Sequence, residues 1–214
     1  MKITLTIFHS KSSLEIMESV EYHNIGPTYT CAKKVVSSEL AETLISLVNE
    51  RGKKSDWDYN PDSLEYQIAN PFSAVRAPTD DILNKCLPDL FTLGERFLRV
   101  FNSSFQNTIC DMVTGYHGFW VLKYSQNGQF EKHCDWDSSY KGISPPVVGT
   151  VCILLNDDFR GGETTIFDNQ GTSILLNREK YSSLCWDGWT QHKVSAVTEG
   201  DRYALVMHYT GIAK

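Results

Sequence analysis

From Gly118 onward the chain is written as short apolar runs separated by turn residues, and that texture restricts it to an antiparallel β architecture. The runs are Phe119 to Tyr124, Val147 to Leu155, Glu163 to Phe167, Thr172 to Leu176, Ser182 to Trp186, Lys193 to Val197 and Tyr203 to Tyr209. A double-sheet jelly roll joins such a set of strands and encloses a pocket between its sheets. The expected fold is therefore mainly β with supporting helices, a double-stranded β-helix barrel of the jelly-roll, cupin-like kind. No internal repeat or low-complexity segment competes with it.

The upstream part has a different texture. Ile3 to Phe8 alternates with Thr4 and Thr6 and reads as a strand; it is too short, and lacks the small-residue cleavage site, to be an export signal. Ser37-Ser38-Glu39 opens a helix whose stripe is Leu40, Leu44, Leu47 and Val48, with Gly52 just past its end. A second helical stretch starts near Thr79, breaks or kinks at Pro88 and resumes through Leu90, Phe91, Phe97, Leu98 and Phe101. These helices are expected to brace the outer sheet of the barrel. Between them, Lys53 to Pro78 carries Trp57, Tyr59, Tyr66 and Phe72 among turn residues, a length that suits a substrate lid.

A chain of 214 residues fits a single domain. Within it, 1–110 supplies the N-terminal strand and supporting helices and 111–214 the jelly-roll core. A formal net charge of −6 excludes a broad basic footprint, so no nucleic-acid partner is expected. Six cysteines without a CxxC pair suggest reduced thiols and a cytoplasmic location. No run approaches the roughly 18 apolar residues of a membrane span, so no membrane partner is expected. Oligomeric state is not legible.

The polar residues that interrupt the strands carry the chemistry. In a strand, His133 and Asp135 share one face while Cys134 turns away. His192 lies 59 residues on, a separation closed by two strands meeting in a rolled sheet. Two imidazoles and one carboxylate on one side of a metal make the facial triad of non-heme Fe(II) oxygenases, with the opposite coordination positions open. Asp137 is the nearest rival to Asp135, but it falls in a segment that reads as a loop. Arg202, ten residues after His192, enters an otherwise apolar strand behind a Gly200-Asp201 turn. A planar, permanently charged fork placed there needs an anion and suits a carboxylate. The other histidines, His9, His23, His117 and His208, read as surface or packed residues.

Three blocks resemble the 2-oxoglutarate and Fe(II)-dependent dioxygenases, and within them the prolyl 4-hydroxylase-like branch. Tyr124 to Asp135 resembles that branch's tyrosine, glycine turn and HxD; Gly161-Gly162-Glu163-Thr164 resembles its GGET turn; His192-Lys193-Val194 with Gly200-Asp201-Arg202 resembles its closing H-x-V and G-x-R. The likeness runs from about Phe119 to Tyr209. It implies Fe(II) on His133, Asp135 and His192, with 2-oxoglutarate as co-substrate held at its distal carboxylate by Arg202 and contacted by Tyr124. It also implies O2 as oxidant, ascorbate as reductant, and hydroxylation of an unactivated C–H bond with release of succinate and CO2. Arg202 stands where many prolyl 4-hydroxylases have lysine, and Phe130 where they often have tyrosine. His208 stands where nucleic-acid demethylases of this fold carry a second arginine.

A prolyl residue in a peptide or protein is the substrate by analogy, with a free amino acid or small molecule as alternatives. Trp136, Trp186 and Trp189, next to the ligands in sequence, are candidate pocket walls. Two other readings of the barrel are a non-catalytic metal- or ligand-binding module and a cupin-type isomerase or hydrolase using Zn(II) or Mn(II). The spacing of Arg202 after His192 counts against the isomerase or hydrolase, which has no evident need for an anion clamp; the binding module predicts no 2-oxoglutarate turnover and no loss of ligand binding in Arg202→Ala.

Overall fold

The computed structural model describes residues 2–4, 21–24, 29–51, 53–54, 75–76, 86, 88–90, 92–99, 110–135, 147–167, 173–175 and 179–213. Upstream of the barrel core lie β1 (Lys2–Thr4), β2 (Glu21–Asn24), β3 (Tyr29–Ala32), helix α1 (Ser38–Arg51), β4 (Lys53–Lys54) and β5 (Val75–Arg76). The core contains β6 (Cys110–Tyr124), β7 (Phe130–His133), β8 (Val147–Leu154), β9 (Arg160–Gly161) and β10 (Thr164–Phe167). It continues with β11 (Ser173–Leu175), β12 (Ser183–Asp187), β13 (Gln191–Val194), β14 (Val197–Glu199) and β15 (Arg202–Ala213).

A large sheet in the order β1-β2-β3-β12-β8-β15-β6-β5-β4 faces a smaller one, β11-β10-β13-β7, with β14-β9 as a separate two-stranded ladder. All the described pairings are antiparallel, which is the jelly-roll arrangement expected.

β15 organises the large sheet. It pairs with β6 along one side and β8 along the other, and its residues alternate between two environments. Tyr203, Leu205, Met207 and Tyr209 join the core shared with α1 and residues 92–99. Arg202, Ala204, Val206 and His208 occupy the alternate positions, and Val206 packs beside Leu122, Tyr124 and Val197. A shift of one residue in register would exchange the two sets, so burial on both sides fixes the pairing.

α1 forms where the capping pattern places it. The Ser37 hydroxyl accepts the Leu40 N–H at 3.2 Å, and Leu40, Leu44, Leu47 and Val48 are all buried. Each such leucine contributes about 1.5–3 kcal/mol on burial. The helix is tied to the sheet by polar contacts as well: Tyr203 and Lys123 both donate to Asn49 Oδ1, at 2.9 Å each.

Several expectations change. Lys193 to Val197 is not one strand, because the chain bends at Ser195. Its hydroxyl accepts the Glu163 N–H at 2.9 Å and donates to Glu163 Oε2, which ends β13 and lets Val197 pair with Gly161 instead. The N-terminal third is more than a brace, since β1 to β3 extend the large sheet through β12 and β4–β5 extend its other edge through β6. Around Pro88, residues 86 and 88–90 are helical and the Pro88 carbonyl accepts the Thr92 hydroxyl at 2.9 Å; the expected start near Thr79 and residue 87, where the break or kink would fall, lie outside the described residues. Of the expected lid, only the paired ends Lys53–Lys54 and Val75–Arg76 are described; Trp57, Tyr59, Tyr66 and Phe72 lie outside the described residues, as do His9, Trp136 and Asp137.

Candidate metal centre

The two candidate histidine ligands are direct cross-strand partners, His133 on β7 and His192 on β13, with ring centroids 4.2 Å apart. Each ring is oriented through its far nitrogen. His133 Nδ1 lies 2.6 Å from the Glu131 carbonyl oxygen and His192 Nδ1 lies 3.0 Å from the Thr190 carbonyl oxygen. A carbonyl can only accept, so Nδ1 carries the proton in both rings and Nε2 is left as a lone-pair donor.

Both Nε2 atoms point to the same place. Each is 3.6 Å from Asp135 Oδ1, and the three ligand atoms all lie within 4.8 Å of one another. Asp135 does not reach this point by strand alternation, because β7 ends at His133 and the aspartate follows in the bend beyond it. Its carboxylate is held from the opposite sheet. Oδ2 accepts hydrogen bonds from the Thr150 hydroxyl at 2.5 Å and from the Trp186 indole N–H at 3.1 Å. The site thus spans the interior, with imidazoles from the small sheet and a carboxylate fastened by the large one.

Burial alone would raise the Asp135 carboxyl's pKa. The positive charge of His192, His208 and His133, when these rings are protonated, and the Thr150 hydrogen bond outweigh it and hold the group well below the usual carboxylate range. Two imidazole lone pairs and a carboxylate oxygen converging in a mostly buried space repel one another unless a cation or shared protons lie between them. The donor set of two nitrogens and one oxygen, with tautomers already selected, fits a divalent transition metal.

His208 was read from sequence as a packed strand residue. Its ring does pack edge-on against Trp120, at 4.5 Å between centroids, but its Nε2 also lies 3.7 Å from Asp135 Oδ1. It stands outside the group of three whose ligand atoms come within 4.8 Å of one another.

Arg202 opens β15 opposite Tyr124 of β6, with its guanidinium carbon 5.1 Å from the centre of the tyrosine ring. It is 2 % exposed, and its Nη2 donates to the Thr164 hydroxyl at 3.0 Å. Its Nε has no hydrogen-bond partner among the described residues. A buried guanidinium with part of its fork unsatisfied has the chemistry to take a carboxylate. Burial pushes the Tyr124 phenol's pKa up despite the nearby guanidinium, so the tyrosine stays a neutral donor.

The Gly-Gly turn makes room for this arginine. Gly162 has φ +65°, and a Cβ built on it would stand 2.9 Å from Arg202 Cδ and 3.0 Å from Val197 Cγ2. Gly161, at φ +69°, would run into the Ala196 carbonyl. Thr164 neighbours Val194, two residues along from the Ile166 and His192 pair. At strand spacing that is on the order of 7 Å, roughly the reach of a five-carbon dicarboxylate chelating at one end.

The remaining candidates separate. Trp186 is 2 % exposed and sits against the ligands, its ring centroid 4.6 Å from that of His192. Trp189 is 38 % exposed on the turn after β12, where its backbone N–H donates to Asp187 Oδ1 at 2.9 Å. Thr150 joins the site without any sequence signal that singles it out, whereas Thr164 comes from the Gly161-Gly162-Glu163-Thr164 turn and His208 from a position that reads as packed. Cys31, Cys86, Cys134, Cys152 and Cys185 form no disulfide.

Fold and site together make a jelly-roll barrel with a candidate metal centre between its sheets. Residues 119–210 match the family model of the 2OG-Fe(II) oxygenase superfamily, a likeness that supports an enzyme of the dioxygenase class. Among solved structures it is similar to a Pseudomonas putida prolyl-4-hydroxylase, with TM-score 0.63 and 10 % identity over 86 % of this chain and 92 % of that one. A Trichoplax adhaerens prolyl hydroxylase, solved with a hypoxia inducible factor oxygen degradation domain peptide fragment, gives TM-score 0.63 and 14 % identity over 86 % and 84 %. The viral collagen prolyl hydroxylase of Paramecium Bursaria Chlorella virus-1, solved with 2OG, gives 0.59 and 15 % over 86 % and 97 %. No curated protein sequence matches it. Among the described residues no helix is long and apolar enough to cross a membrane.

Proposed function

We propose that this protein is an Fe(II)- and 2-oxoglutarate-dependent hydroxylase of a prolyl residue in a peptide or protein, releasing succinate and CO2. The observation that carries the reading is the pairing of two sites. Three converging ligand atoms stand on two imidazoles and a carboxylate, and a buried arginine with an unpartnered Nε is hydrogen-bonded to Thr164, two residues along β10 from the cross-strand partner of His192.

In this reading His133, Asp135 and His192 hold Fe(II), which supplies Lewis acidity and the activation of O2 when bound. Arg202, Thr164 and Tyr124 bind the distal carboxylate of 2-oxoglutarate and orient its keto-acid end toward the metal. Asp135 stays ionised beneath the imidazoles, and Nδ1 of both histidines keeps its proton and donates a hydrogen bond to a backbone carbonyl. The apolar walls from Leu122, Val197 and Val206 exclude water from the clamp. Ascorbate is the expected reductant for iron oxidised outside productive turnover. The peptide in the Trichoplax structure supports a peptidyl substrate, and the prolyl target rests on that likeness.

Anaerobic titration with Fe(II) and 2-oxoglutarate tests the reading. Bidentate chelation gives a weak visible charge-transfer band, expected in wild type and lost in His133→Ala. Absence of the band in wild type refutes the assignment. Succinate release screened against prolyl peptides, free amino acids and small metabolites then decides the substrate class.

A further inference from the structure

The carboxylate of Asp135 is gripped by a row of residues that lie side by side on the large sheet. Trp186 on β12 is the register partner of Thr150 on β8, and Thr150 is the register partner of His208 on β15. Three consecutive strands therefore present one polar side chain each at the same level, all to one carboxylate. The two oxygens are treated differently. Oδ2 accepts from both the Thr150 hydroxyl and the Trp186 N–H, whereas Oδ1 accepts from neither and faces the Nε2 atoms of His133, His192 and His208 at 3.6, 3.6 and 3.7 Å.

From this geometry we infer that Thr150 and Trp186 are positioning residues that make Asp135 a one-oxygen metal ligand. With Oδ2 engaged twice, only Oδ1 is offered to the cation, so the carboxylate does not turn to chelate through both oxygens and fill a coordination position that the co-substrate needs. Trp186 acts on two ligands at once, since its indole also lies against the His192 ring. The need for such a grip is local: Asp135 sits past the end of β7, where no ladder hydrogen bonds hold its backbone in register. Partners that orient metal ligands in this way typically change metal affinity by about 10–100-fold when removed.

This inference rests on the metal-site reading above, and its test separates the two. Co(II) affinity is measured anaerobically by competition with a chromophoric chelator for wild type, Thr150→Val, Thr150→Ser, Trp186→Phe and His133→Ala. Thermal melting of the metal-free proteins runs in parallel. Thr150→Val keeps the side-chain volume and removes the hydroxyl; we expect about a tenfold loss of affinity with the metal-free melting curve close to wild type. Thr150→Ser restores the donor and is expected to bind nearly as wild type, a rescue that a packing role would not produce. Trp186→Phe is expected to weaken binding by a similar factor. Wild-type affinity in both Thr150→Val and Trp186→Phe overturns the inference and leaves the metal site standing. Failure of wild type to bind Co(II), or equal binding by His133→Ala, overturns the metal site and the inference with it.

Discussion

The two faces of β15 solve opposite problems. Toward α1, Tyr203, Leu205, Met207 and Tyr209 lie in a continuous core, and the polar atoms there are spent within the protein: the Tyr209 hydroxyl donates to the Gly94 carbonyl at 3.0 Å and the Tyr203 hydroxyl to Asn49. Toward the barrel interior, the same strand carries Arg202 with an unpartnered Nε and His208 aimed at a carboxylate that two other imidazoles already face. One face is complete as folded. The other leaves an unpartnered guanidinium nitrogen and a carboxylate faced by imidazoles, and in the proposed function a cation and an anion would complete it.

The contrast breaks most visibly at Leu205. Leu205→Ala should destabilise the protein by about 2–5 kcal/mol in urea unfolding, because a fully buried side chain leaves a cavity. Co(II) affinity of the folded fraction should stay at the wild-type value; a parallel loss would mean that the two faces are not independent.

Arg202→Met sharpens the comparison from the other side. Replacing a partly satisfied buried charge by an apolar chain of similar length is often neutral or stabilising by about 1–4 kcal/mol. The metal-free variant should therefore melt no lower than wild type, while 2-oxoglutarate should no longer raise its melting temperature in the presence of Co(II). A drop beyond about 3 kcal/mol would instead make Arg202 a structural ion.

The smallest effect concerns Asp201, at the rim where the two faces meet. Burial raises its carboxyl's pKa, but hydrogen bonds from Ser125 and Lys123 prevail and hold it below the ordinary value. A depressed folded pKa contributes stability above the unfolded pKa, about 3.9, and loses it as pH falls through the folded value. Asp201→Asn should therefore cost stability at neutral pH and nothing at about pH 2. With a side chain 37 % exposed, solvent screening keeps the cost below about 1 kcal/mol. An equal cost at both pH values in urea melts would assign it to packing.

What the sequence discloses and what it hides divide along the same line. The helix stripe of α1, most of the strands and the spacing of His133, Asp135, His192 and Arg202 can be read because each depends on local periodicity or on residue types that have few other uses. The strand break at Ser195 is hidden, since a serine inside an alternating run gives no sign that its hydroxyl will bond Glu163 on both sides. The row of Trp186, Thr150 and His208 is hidden for a deeper reason. Its members become neighbours only through the register of three strands far apart in the chain, and a threonine or a histidine on an apolar strand is usually a packed residue. Asp135 was found for a reason that does not hold in the structure: it shares the site with His133 through a bend and two hydrogen bonds, not through strand alternation.

Gly162 bears on how the proposed clamp could be moved between proteins. An arginine grafted alone onto the matching strand of another barrel would find its stem blocked by any side chain at the turn and its fork without the hydroxyl of Thr164. The portable unit is a triplet, a bare turn position, a hydroxyl two residues on and the arginine forty residues later, and a designer who copies only the charge should expect a guanidinium that folds outward into solvent.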